Sequence, residues 1–158
     1  MSYKIRIGIL EDLEYPPMKT FAAMLSCIGV PVTDGEIIRQ GKPFLGLDIP
    51  DGQFANIMYW QLDEAVKFIG KYIKKGDVQV ICEGGVSRSV AVGLAYYLST
   101  GMSYDDSIDK LDHGNPAGWG HEWDLIHWAY KRKFMDEKTF TSVKSRLEKR
   151  RKSISLRF

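Results

Sequence analysis

Apolar residues at every second position open the chain: Ile5, Ile7 and Ile9 alternate with polar neighbours across residues 3–10, the period of a strand with one buried face. After Pro16-Pro17 the spacing changes. Phe21, Met24, Leu25 and Ile28 recur at helical intervals and Gly29 follows, so the pattern predicts a helix that carries Cys27. Residues 42–49 read as a strand that stops at the turn-forming cluster Pro50-Asp51-Gly52. Asn56 is placed to cap what comes next, where Ile57, Trp60, Leu62, Ala65, Val66, Phe68, Ile69, Tyr72 and Ile73 trace a long amphipathic helix ending at Lys74-Lys75-Gly76. Residues 78–81 form a short, wholly apolar-flanked run of the kind found in buried parallel strands, and residues 89–100 form an apolar helix closed by Gly101. Ser103 and Asp106 have capping-box spacing and open a further helix through Leu111. Residues 113–120 read as a loop from their glycines and proline, and helical periodicity resumes over residues 122–133. Strands separated by helices predict a single α/β domain with a central, mostly parallel β-sheet flanked by helices.

Composition narrows the class without changing that picture. A chain of 158 residues with 44% hydrophobic and 27% charged residues fits one globular core. The net charge of +2 hides a division: residues 131–158 hold 11 of the 22 lysines and arginines against three acids, leaving residues 1–130 at −6. The expected organisation is a main globular domain over 1–130 followed by a basic, helical tail over 131–158, which offers a contact for nucleic acid or another acidic partner. The two cysteines, Cys27 and Cys82, stand in unlike surroundings, which argues against a disulfide framework. With no signal-peptide pattern or membrane-length apolar run, a cytoplasmic monomer is the expectation. Cys27 reads as a small buried hydrophobe, with redox partnership to Cys82 as the sharper alternative.

The chemistry concentrates in Cys82-Glu83-Gly84-Gly85-Val86-Ser87-Arg88-Ser89, between the apolar strand and the apolar helix. A loop that turns into a helix N-terminus aims successive backbone N–H groups at one spot, and Gly84 and Gly85 leave room for an anion to approach. The same positive field stabilises a thiolate, making Cys82 a candidate nucleophile. Arg88, six residues on, can return to grip two phosphate oxygens, and Ser89 can donate to the sulfur.

This spacing resembles the Cys-x5-Arg signature of protein tyrosine phosphatases, and Gly85-Val86-Ser87-Arg88-Ser89 looks like the dual-specificity branch. The resemblance implies a protein-tyrosine-phosphatase-like fold and a metal-free, cofactor-free hydrolysis of phosphotyrosine, with phosphoserine and phosphothreonine of proteins as further substrates, through a cysteinyl-phosphate. It implies catalytic roles for Cys82, Arg88 and Ser89, and phosphate binding by Glu83, Gly84, Gly85, Val86 and Ser87. The family's general acid lies about as far upstream as Asp51, 31 residues before Cys82, and Asp51 at a loop tip is preferred over Asp48 inside the strand pattern. Asn115 falls roughly where the family carries an asparagine that braces the acid loop. The residue before the nucleophile, commonly His in the family, is Ile81 here. Two rivals share the motif: a phosphatase of RNA 5′ ends, suggested by the basic tail, and a silent phosphate-binding module.

The remaining candidates read as structural. His113, His121 and His127 lack a metal-site spacing and are expected on the surface or in packing. Trp119, Trp123, Trp128 and Tyr130 are spaced as core aromatics rather than as a substrate groove.

Overall fold

The computed structural model describes residues 2–14, 21–29 and 41–156. Its sheet has four strands, β1 (Ile5–Gly8), β2 (Ala23–Ser26), β3 (Phe44–Gly46) and β4 (Val78–Ile81), in the order β1-β4-β2-β3. All three pairings are parallel. The described helices are a single turn α1 (Glu11–Glu14), then α2 (Tyr59–Tyr72), α3 (Arg88–Ser99), α4 (Tyr104–Leu111), α5 (Trp119–Lys131) and α6 (Glu137–Ser155). This is the single α/β domain with a parallel sheet that the pattern predicts.

The central strands β2 and β4 are buried at every position, as expected where helices or loops cover both faces. Leu25, Val78 and Val80 face the main core with Leu62, Ile69, Leu94 and Trp128, while Met24, Ile81 and Phe21 form a smaller cluster. Ile5 N–H donates to the Tyr97 hydroxyl at 3.0 Å, tying the edge strand β1 to α3.

The expected helix around Cys27 is a strand over Ala23–Ser26; the part of that expectation before Phe21 lies outside the described residues. The spacing of Phe21, Met24, Leu25 and Ile28 fits a helix, but a strand buried on both sides has no polar alternation to betray it. Asn56 does not cap α2. Its amide and the Ile57 N–H both donate to Asp124 of α5, at 3.0 and 2.9 Å, and the start of α2 is held instead by Gln61, whose Oε1 accepts from Met58 N–H at 3.0 Å. Helix α5 begins at Trp119, inside the segment that reads as a loop.

Helix α6 opens with Asp136 accepting from Thr139 N–H at 2.7 Å. Most of it is exposed, yet Val143 and Leu147 are buried against the core. Trp119 Nε1 donates to the Leu147 carbonyl at 2.7 Å. Among the described residues no helix is long and apolar enough to cross a membrane.

Candidate active site

Strand β4 delivers Cys82 to the carboxyl end of the sheet, the edge at which ligands bind in open α/β folds. The chain then turns through residues 83–87 into α3. Gly85 has φ of +67°, which strongly favours glycine, and a Cβ there would also crowd Ile9 at 3.2 Å and the Gly8 carbonyl at 3.3 Å. Gly85 N–H donates to Cys82 Sγ at 3.2 Å, and Ser89 Oγ lies 3.0 Å from the same sulfur. Burial by itself would raise the Cys82 thiol. The Ser89 hydroxyl, with the backbone N–H groups of Ser89, Gly85 and Ser87, outweighs burial and holds it below its ordinary value. Cys27 sits one residue beyond β2, its N–H donating to the Ile81 carbonyl at 2.8 Å. It is a fully buried free thiol, and burial drives its pKa up.

Arg88, the first residue of α3, is almost wholly buried. It donates to the Ile49 carbonyl at 3.1 Å, and its NH2 lies 3.6 Å from Asp51 Oδ2 and 3.8 Å from Glu83 Oε2. Those two carboxylates are 64% and 69% exposed, so the buried guanidinium reaches towards two acids that stand in solvent. Val86 is exposed beside it, and its carbonyl accepts from Ala117 N–H at 3.0 Å. Asp48 lies apart: it forms an isolated bridge to Ile28, and its carbonyl accepts from Gln61.

The loop that carries Asp51 is tied down by polar contacts at three points. Arg88 holds Ile49, His121 Nε2 bonds the Pro50 carbonyl at 2.8 Å, and Gly120 N–H donates to the Gln53 carbonyl at 2.9 Å. The carbonyl of Pro50 can only accept, so Nε2 carries the imidazole proton. Nδ1 is then the acceptor for the Ser87 hydroxyl, 2.6 Å away, and Ser87 Oγ accepts in turn from Gly118 N–H at 2.8 Å. A neutral His121 therefore links the Cys82–Arg88 loop to the Asp51 loop. Burial lowers its pKa, and the nearby Arg88 charge adds to this against the opposing bond to Pro50. Nothing in the sequence distinguishes His121 from the other two histidines; its partners come from tertiary contact alone.

Asn115, expected to brace the acid loop, is engaged elsewhere. Its amide donates to Glu122 at 2.8 Å and approaches the Tyr104 hydroxyl at 3.5 Å. Glu122 is fully buried, bonded also by Tyr104 and by Arg146 of α6 at 2.6 Å. Burial, then the adjacent Glu122, pushes the Tyr104 phenol well above its ordinary value. The bracing is done by His121 and Gly120 instead. Trp128 is fully buried and Trp119 nearly so, in keeping with core aromatics, whereas Tyr130 is 40% exposed.

A thiol ringed by convergent N–H donors, at the junction of a parallel strand with a helix that starts on arginine, defines a protein-tyrosine-phosphatase-like domain, and solved structures agree on the fold. Tk-PTP in its active form superposes with a TM-score of 0.65 at 20% identity, covering 80% of this chain and 92% of that one. Human DUSP28 superposes at 0.65 with 16% identity, covering 82% and 93%. In sequence, 77 residues are 35% identical to dual specificity protein phosphatase 8 of Mus musculus, and the human protein of that name matches equally. That stretch is 47% of this chain but 11% of the mouse protein. No family model matches the chain. The sequence match and the shared fold point the same way, to dual-specificity and protein-tyrosine-phosphatase domains as what this chain resembles.

Proposed function

We propose that the chain is a cysteine-dependent phosphomonoester hydrolase acting on phosphotyrosine, and on phosphoserine and phosphothreonine, of proteins. The observation that carries this reading is the geometry of three groups: Cys82 Sγ with donors from Ser89 and Gly85, and Arg88, six residues on, with its NH2 3.6 Å from Asp51 Oδ2. In the first step the Cys82 thiolate attacks phosphorus, the S–P bond forms, and the bond to the leaving oxygen breaks as Asp51 gives that oxygen its proton. Arg88 and the loop N–H groups take up charge on the equatorial oxygens. In the second step Asp51, now a carboxylate, removes a proton from water as the water attacks phosphorus. The S–P bond breaks, phosphate leaves, and Ser89 steadies the departing thiolate. Glu83, Gly84, Gly85, Val86 and Ser87 line the phosphate in this scheme; Asn115 has no part in it.

Metal-free hydrolysis of para-nitrophenyl phosphate, with vanadate as competitor, tests the proposal. The expected result is vanadate-sensitive turnover that disappears in Cys82→Ser. Turnover surviving that substitution overturns the mechanism, and phosphate binding without turnover in the wild type makes the chain a binding module.

A further inference from the structure

The sequence sets a basic segment after residue 130 that the chemistry of Cys82 leaves unused, and the structure brings part of it to the same site. Arg150 of α6 donates to the Ala117 carbonyl, and Ala117 N–H donates to the Val86 carbonyl, so a single residue, Ala117, links Arg150 to the loop that follows Cys82. Arg151 lies over Phe54, 5.1 Å from the ring centroid, and over Trp119 at 4.7 Å. Phe54 is three residues past Asp51 and 45% exposed. Arg150 has a structural partner, with NH1 3.8 Å from the buried Glu122. Arg151 is exposed, and among the described residues no carboxylate lies within salt-bridge distance of it. Its guanidinium thus lies over two rings beside the Asp51 loop and, among the described residues, has no carboxylate partner.

We infer that Arg151, backed by Arg150, forms a cationic ledge that binds one anionic side chain, a carboxylate or a second phosphate, next to the phosphoresidue of a protein substrate; this rests on the phosphatase reading above. A nucleic acid fits the same charge less well. Single strands bind by stacking bases on open aromatic faces, and here Trp119 is stacked against Trp123 at 4.7 Å on one side and covered by Arg151. The exposed carboxylates of Asp51 and Glu83 beside Arg88 also repel a continuous polyanion, whereas they tolerate one phosphoryl group facing Arg88 and one separate anion at Arg151.

The test compares phosphotyrosine peptides flanked by glutamate or by glutamine, reading the ratio of their kcat/KM values in the wild type, Arg151→Gln and Arg151→Glu. A partly exposed charge pair predicts about a fivefold preference for the glutamate peptide at low salt, lost in Arg151→Gln and fading as salt rises. In Arg151→Glu the preference reverses. Calorimetric binding of the same peptides to Cys82→Ser gives the ratio without turnover, so a chain that binds phosphopeptides selectively yet hydrolyses nothing sinks the enzyme reading and keeps this one. A wild-type ratio near one, a ratio unchanged in Arg151→Gln, or faster release of phosphate from 5′-phosphorylated RNA than from either peptide overturns it.

Discussion

Strand β4 is buried at all four positions and ten of the twelve residues of α3 are buried with it; the loop between them exposes Glu83, Gly84 and Val86 but buries Cys82, Gly85 and Ser87. Across the site, Asp51, Gly52, Gln53 and Phe54 are all exposed, and their loop keeps its place through hydrogen bonds from Arg88, His121 and Gly120. Cys82 is therefore set by packing density and Asp51 by a few directional contacts. Anchors set in a packed core fail all at once when altered, because neighbours cannot relax around them. A tethered loop fails by degrees, and each tether contributes separately.

Substitutions on the two sides should separate accordingly. The largest effect belongs to Arg88→Lys, which keeps the charge but loses the fork and the Ile49 contact; kcat should fall about a thousandfold. A loss under tenfold would mean that Arg88 is a structural residue and not the phosphate clamp. Asp51→Ala should slow phenyl phosphate about a hundredfold while costing para-nitrophenyl phosphate, whose leaving group needs little protonation, much less. An equal rate on both substrates for variant and wild type would transfer the role to Asp48.

His121→Gln sharpens the contrast. Losing one tether should displace the acid slightly and reduce kcat about tenfold on phenyl phosphate. The loss should track leaving-group basicity as it does in Asp51→Ala, whereas general structural damage would slow both substrates alike. The smallest effect is on stability. Because burial depresses the His121 pKa, the unfolded chain takes up a proton first as pH falls. Stability contributed by neutral His121 is fully present above the ordinary histidine value of about 6.5 and is lost as pH falls through the lower folded value. The thermal midpoint of the wild type should drop over that window, and His121→Gln should show a shallower slope.

The same contrast governs what could be read from sequence. The cradle is local: Cys82 to Ser89 is contiguous, flanked by a strand and a helix whose boundaries the pattern places within a residue. The parallel sheet follows from alternation of element types. The acid-loop scaffold is assembled from residues far apart in the chain, such as Pro50 with His121 and Ser87 with Gly118, and no spacing rule joins them. Strand β2 was hidden for another reason, since burial on both faces erases the period that marks a strand. Gly118 and Gly120 look like loop residues yet serve close approach: a Cβ on Gly118 would come within 2.8 Å of Ser87 Oγ, and one on Gly120 would collide with the Ala55 carbonyl.

Fastening a short run at Ile49, Pro50 and Gln53 also bears on timing. A segment between such anchors has no free span long enough to swing as a lid, and lid motions in the microsecond to millisecond range are what commonly limit turnover elsewhere. On the phosphatase reading proposed above, Asp51 arrives in place with the fold instead of after the substrate. The rate of phosphoryl transfer to Cys82 should then be indifferent to solvent viscosity, leaving sensitivity to friction only in the entry of a protein substrate and the departure of its product.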